Sequence, residues 1–186
     1  CGAEDCIDYI TNTHCFAAEL AEAQETYLII LPWLTDLDRS HEYRAFVHRG
    51  RITAISQQQW YAKHFTSEEP VRADAEAIVA FFDSKIKGMM PYKSGVLDVW
   101  VRQASAEEPA EGRFIEINPW GAGFSSGSSL FHWRRDFDVL YGNNQADDET
   151  VTVRFVGKAW EGGTQAELIE FVDDLHLKDK GRLLGR

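Results

Sequence analysis

Apolar positions between residues 67 and 88 recur every three or four residues. Val71, Ala75, Ile78, Val79, Phe82 and Ile86 share one side of a 3.6-residue repeat, so SEEPVRADAEAIVAFFDSKIKG predicts an amphipathic helix. Ser67 is placed to cap it, Glu68 and Glu69 lie near its start, Pro70 suits its first turn and Gly88 can end it. Elsewhere the period drops to two. In EYRAFVHRGRITAIS (42–56) residues alternate on both sides of Arg49-Gly50, which predicts a β-hairpin with a tight glycine turn. GVLDVWV (95–101), RFIEIN (113–118) and VTVRFVG (151–157) read as further strands, and TYLIILPW (26–33) as a buried strand closed by Pro32. Phe16, Leu20 and the alanines between them predict a helix within Asp5–Gln24, and a last helix is expected from Thr164 to about Leu175. Strands outnumber helices and follow one another in hairpin order. The expected class is therefore α+β, a mostly antiparallel sheet with packed helices, and 186 residues suit a single domain, 1–186.

Composition narrows the possible partners. Net charge is −11, from 19 Lys+Arg against 30 Asp+Glu. Such a surface repels a phosphate backbone, so no nucleic-acid partner is expected, although a small basic pocket for a nucleotide remains open. No run approaches the ~18 apolar residues of a membrane span, so no membrane partner is expected either. The chain does not begin with Met, and no basic stretch leads into an apolar one, so no secretory signal is expected within it. Cys1, Cys6 and Cys15 fit neither CxxC nor a paired zinc pattern. Free thiols in a reducing compartment are the simpler reading, which points to a cytoplasmic location.

The stretch FIEINPWG poses the chemical question, because a strongly apolar strand carries a carboxylate and an amide. Residues two apart on a strand face the same way, so Glu116 and Asn118 share one face while Ile115 and Ile117 share the other. With Asp98 on a neighbouring strand, three oxygen donors can converge. Two carboxylates and an amide suit Mg²⁺, which is bound through oxygen and completed by phosphates and water. A solvent-facing Glu116 on an amphipathic strand satisfies the same spacing, and spacing alone does not separate the two. Arg44, mid-strand in YRAFV, can hold a phosphate with its planar fork or stand exposed. Arg51 and Lys63 are weaker candidates of that kind, and Asp36 and Asp38 could reach a ribose. The six histidines form no HExxH, and GKS/GKT and GxGxxG are missing. GAGFSSG (121–127) is glycine-rich without a clear helix after it.

Three segments in order resemble the cell division cycle protein 123 family. EYRAFVHRGRITAISQ resembles its hairpin ending in ISQ. GVLDVWV with FIEINPWG resembles its paired strands, where an Asp meets an acid-x-Asn-Pro. SSLFHW resembles the stretch downstream. The likeness runs over roughly residues 27–135. That family is similar to the ATP-grasp superfamily, so the resemblance implies an ATP-grasp-like fold with ATP and Mg²⁺ as cofactors. It places the metal on Asp98, Glu116 and Asn118, turns Arg44 to the phosphates, and puts adenine-contacting backbone near Ile30, Leu31 and Trp33. It also implies a role as an assembly factor, a chaperone for translation initiation factor 2 acting through its gamma subunit. The alternative within the superfamily is an ATP-dependent ligase forming an acyl phosphate; the catalytic residues and acceptor of such a ligase are not indicated. Gln58 and Gln59 follow ISQ where the family carries charge, the loop 103–112 is longer than the family's, and few residues before 27 could supply the lysines of an N-terminal lobe. A domain lacking part of that lobe is therefore expected.

Overall fold

The computed structural model describes residues 35–124, 126–128, 130–143 and 150–157, and the backbone of 172–178. The chain divides into two compact units, Cys1–Thr35 and Asp36–Arg186. The expected helix within Asp5–Gln24 and the strand at 26–33 lie outside the described residues.

The second unit is built on a sheet. A 3₁₀ turn at Arg39–His41 leads into β1 (Glu42–His48), which turns back as β2 (Arg51–Gln57). Arg49 and Gly50 both have positive φ, 53° and 77°. That is the mirror-image turn that matches strand twist, and glycine adopts its second position freely. Helix α1 (Glu68–Phe81) follows, then β3 (Gly95–Arg102), β4 (Glu111–Asn118), the short α2 (Phe137–Leu140), β5 (Thr150–Val156) and β6 (Val172–Lys178). The sheet order is β4-β3-β1-β2-β5-β6. Every pairing is antiparallel except β2–β5, which is parallel. The unit is therefore mixed α+β with a mostly antiparallel sheet. No helix among the described residues is long and apolar enough to cross a membrane.

One expectation fails at its end. The helix drawn to about Leu175 overlaps β6, whose Leu175 and Leu177 stand in register with Val153 and Val151 of β5. The segment LHLK has the two-residue period of a strand, and β5 offers it a free antiparallel neighbour.

Helix α1 packs on one face of the sheet as its periodicity predicts. Val71, Ala75, Ile78 and Phe82 are buried against Tyr43, Ala45, Val47, Leu97, Val99 and Val101. Ser67 occupies the N-cap position but makes no side-chain cap bond. The residue three further on is Pro70, which has no N–H to offer. After Phe81 the helix widens into a π turn, Phe82–Ile86, where the Lys87 amide bonds back to the Phe82 carbonyl at 2.8 Å. The opposite face carries a second cluster of Phe46, Ala54, Val96, Phe131 and Leu140, roofed by Trp120 and Trp133 from the chain after β4.

A buried carboxylate ties α1 to the start of β1. Asp74 accepts hydrogen bonds from the Tyr43 hydroxyl (2.8 Å) and Gln103 Nε2 (2.9 Å), and lies 2.6 Å from His41 Nδ1. Burial alone would lower the His41 pKa, but the Asp74 hydrogen bond and charge, aided by Asp38, outweigh it and raise the value. A raised histidine contributes stability that is complete below the unfolded value of about 6.5 and is lost as pH rises through the folded value. His48 and His64, lowered chiefly by burial, act with the opposite sign. The expected result is therefore a difference: from about pH 6 to about pH 8 the wild type loses more stability than His41→Gln, read by urea unfolding at each pH. Parallel pH profiles for the two proteins would contradict the ion pair.

Candidate functional site

Three strands bring the chemistry-bearing residues into one row. Arg44 of β1 lies opposite Asp98 of β3, and Asp98 lies opposite Glu116 of β4. Asn118 stands two residues beyond Glu116, opposite Val96. All belong to the face that carries Phe46 and Val96, away from α1. The four residues singled out for metal and phosphate thus meet in one cluster. Ile30, Leu31 and Trp33 lie outside the described residues.

The register is not the simple alternation of the sequence pattern. The β3–β4 pairing slips between Asp98 and Val99, so that Val99 faces Phe114 and Ile115 is the extra residue of a bulge. Ile115 is therefore not Ile117's companion on the other face. Phe114 takes that place, lining one apolar groove with Ile117, Leu97, Phe81 and Met90. Glu116 and Asn118 lie beyond the slip and keep their common face.

Asp98 is the centre of the cluster and only 3% exposed. Arg44 grips both of its oxygens, with Nε donating to Oδ1 at 2.7 Å and Nη2 to Oδ2 at 2.6 Å. Arg44 Nη1 donates to the Gly127 carbonyl at 2.5 Å. The glycine- and serine-rich loop therefore crosses the cluster and turns a carbonyl toward the arginine. Asn118 Nδ2 donates to Glu116 Oε1 at 3.0 Å and reaches Asp98 Oδ2 at 3.5 Å. Burial pushes the Asp98 carboxyl above its ordinary value and Glu116 adds to this, while the Arg44 fork works against both. The Arg44 guanidinium is raised, chiefly by its hydrogen bonds to Asp98.

Two neighbours complete the cluster and escaped the sequence reading. Glu42 lies two residues before Arg44 and shares its face, and burial and then Asp98 push its carboxyl up. The alternation Glu42-Tyr43-Arg44 was the available signal. Trp100, opposite Glu42, is 4% exposed, and its indole N–H has no partner among the described residues. Nothing in the sequence distinguished this tryptophan from core.

The remaining candidates are elsewhere. Asp38 caps the 3₁₀ turn through the Ser40 amide and hydroxyl. Arg51 reaches the Gly142 carbonyl at the far end of the hairpin. Lys63 and Asp36 are exposed. Pro119 ends β4, its carbonyl accepting from the Ser126 hydroxyl as the chain turns over the face.

The donor set fits a hard divalent cation by chemistry. Glu116 and Asp98 offer carboxylate oxygens and Asn118 an amide oxygen, while N–H groups of Arg44 and Asn118 now stand against those carboxylates. Among the described residues no three His, Cys, Asp or Glu side chains are arranged to hold a metal. A cation here would depend on the amide and on oxygens brought by its ligand, as Mg²⁺ commonly does.

Comparison with known proteins agrees with this arrangement of strands. The D123 family model matches residues 5–170. A translation initiation factor eIF2 assembly protein of Aspergillus oryzae is 28% identical over 141 residues, 74% of this chain and 32% of that protein. A putative CDC123-like protein of Acanthamoeba polyphaga mimivirus is 25% identical over 122 residues, 64% of this chain and 36% of that one. The chain thus spans about a third of the length of these curated relatives. The structure of Cdc123 from Schizosaccharomyces pombe shares the fold with a TM-score of 0.52 at 20% identity, over 73% of this chain and 55% of that chain. With most of its length matched by one family model, the chain belongs to the D123 (Cdc123) family.

Proposed function

We propose that this chain is an ATP-grasp-like assembly factor for translation initiation factor 2, acting on its gamma subunit and binding ATP with Mg²⁺. The observation that carries the nucleotide site is the row Arg44–Asp98–Glu116 with Asn118 beside it on one face of the sheet. Support for the partner comes from family membership and from the likeness to the Aspergillus eIF2 assembly protein. In this reading Asp98, Glu116 and Asn118 hold the metal, and Mg²⁺ supplies charge neutralisation for the phosphates. Arg44 holds phosphate oxygens with a planar fork. Glu42 and the buried Trp100 indole border the site, and the Gly127 loop shields it from water. In this reading ATP orders the protein rather than driving a ligation.

The partner is tested by co-purification of the chain with the isolated gamma subunit, with and without Mg-ATP. Retention that rises with Mg-ATP, and that Asn118→Ala removes, is expected. Retention by neither form would overturn the assembly role, whatever the outcome for nucleotide.

A further inference from the structure

We propose that Arg44 guards Asp98, withholding the carboxylate from a bare metal ion and releasing it only to a ligand that brings its own anionic oxygens. The inference rests on the reading of Asp98, Glu116 and Asn118 as a nucleotide–metal site and adds to it an order of events.

The geometry behind it is the complete use of the guanidinium. Each of its three nitrogens has an acceptor: Nε and Nη2 on the two Asp98 oxygens, Nη1 on the Gly127 carbonyl. The pair is withdrawn from water, with side-chain exposures of 13% for Arg44 and 5% for Asp98. The fork takes one lone pair on each Asp98 oxygen, and Asn118 Nδ2 lies 3.5 Å from Oδ2. A cation that leaves the fork in place must bind the remaining lone pairs directly beside the guanidinium charge, and one that takes the fork's place must strip an N–H of its partner. In a site this dry, either course is costly.

The overall field does not explain the protection. Glu42, Asp98 and Glu116 set three carboxylates against the guanidinium groups of Arg44 and Arg39, so the cluster as a whole attracts cations. The fork, not the charge, is what keeps Asp98 closed. A phosphate changes the balance, because it accepts the same planar fork that a carboxylate does. Arg44 can then leave Asp98 without losing its hydrogen bonds, and Asp98 is freed for the metal. Metal and nucleotide thereby become coupled through one side chain, and the coupling is reciprocal. The loop takes part, since the same guanidinium anchors Gly127, and Ser128 next to it shares a 2.5 Å hydrogen bond with Ser56 of β2.

Arg44→Lys is the informative variant. It keeps a cation beside the buried carboxylate but can cover only one oxygen. Wild type, Arg44→Lys and Arg44→Lys/Asn118→Ala are titrated with Mn²⁺ alone and, separately, with ATP in Mg²⁺. Thermal unfolding of each, with and without Mn²⁺, verifies that it is folded. The expected result is that Arg44→Lys binds Mn²⁺ alone at least about tenfold more tightly than wild type, within the usual range of coupling. The same variant binds Mg-ATP more weakly, and adding Asn118→Ala removes the gain. Equal Mn²⁺ affinity in wild type and a folded Arg44→Lys, with Asn118-dependent Mg-ATP binding intact, would overturn the guard and leave the site standing. If neither protein takes Mn²⁺ and wild type takes no Mg-ATP, the site itself falls and the guard with it.

Discussion

Arg44→Ala is expected to lower the unfolding free energy by about 3–5 kcal/mol, the cost of removing one partner from a buried ion pair. The loss comes mainly from what remains. Asp98, 3% exposed in the wild type, loses both short donors, and only the 3.5 Å approach of Asn118 is left to it. Glu116 stands opposite and adds repulsion. A second effect has a defined sign. The Asp98 carboxyl is already raised by burial, and losing the arginine raises it further. A carboxyl with a raised folded value stabilises the fold as pH falls toward that value. The deficit of Arg44→Ala should therefore shrink between about pH 7 and about pH 5 in urea unfolding. A deficit below about 1 kcal/mol, typical of exposed pairs, would show that this ion pair is not buried in solution.

Phe82→Ala should cost a similar amount, about 3–5 kcal/mol, for a different reason. Phe82 is 2% exposed and belongs to the cluster between α1 and the sheet. Its amide bonds to the carbonyls of both Ile78 and Val79, where the helix passes into the π turn. Removing the ring opens a cavity at the place where the helix has least freedom to collapse. Urea unfolding checks this too, with Ala73→Ser at an exposed position of the same helix as a control of small effect. A loss within about 1 kcal/mol of that control would place Phe82 outside the core.

These two positions show what was legible and what was not. Val71, Ala75, Ile78 and Phe82 advertise a helix face through local spacing, so α1 could be read directly. The π turn could not, because one extra residue per turn leaves the apolar pattern nearly unchanged. Asp74 lies beside Ala75 and looks like a solvent-side acid. Its burial depends on Tyr43, His41 and Gln103, which are distant in sequence. The hairpin at Arg49-Gly50 was written in its turn residues, and strand parity alone set Glu116 and Asn118 on one face. The bulge that expels Ile115 arises between two strands and has no mark on either. The helix expected from Thr164 to about Leu175 runs into β6 at 172–175, because short apolar spacings serve both periods and only the neighbouring β5 decides. The family resemblance implied that Arg44, Asp98, Glu116 and Asn118 serve one site. It did not indicate that the arginine faces the Asp98 carboxylate.

The measurement that bears most directly on the proposed site is calorimetric titration of ATP, with and without Mg²⁺, on wild type, Glu116→Gln and Asn118→Ala. Glu116 is exposed and Asn118 is at the strand end, so both variants should unfold close to wild type. Wild type should bind ATP more tightly with Mg²⁺ than without. Each variant should lose at least about tenfold in Mg-ATP affinity, since even groups that only support metal ligands are worth roughly 10–100-fold. Binding in the absence of Mg²⁺ should change little. Equal affinity with and without Mg²⁺ in wild type, or Mg-ATP binding by both variants at wild-type strength, would contradict the account and leave Glu116 and Asn118 as ordinary residues of an edge strand.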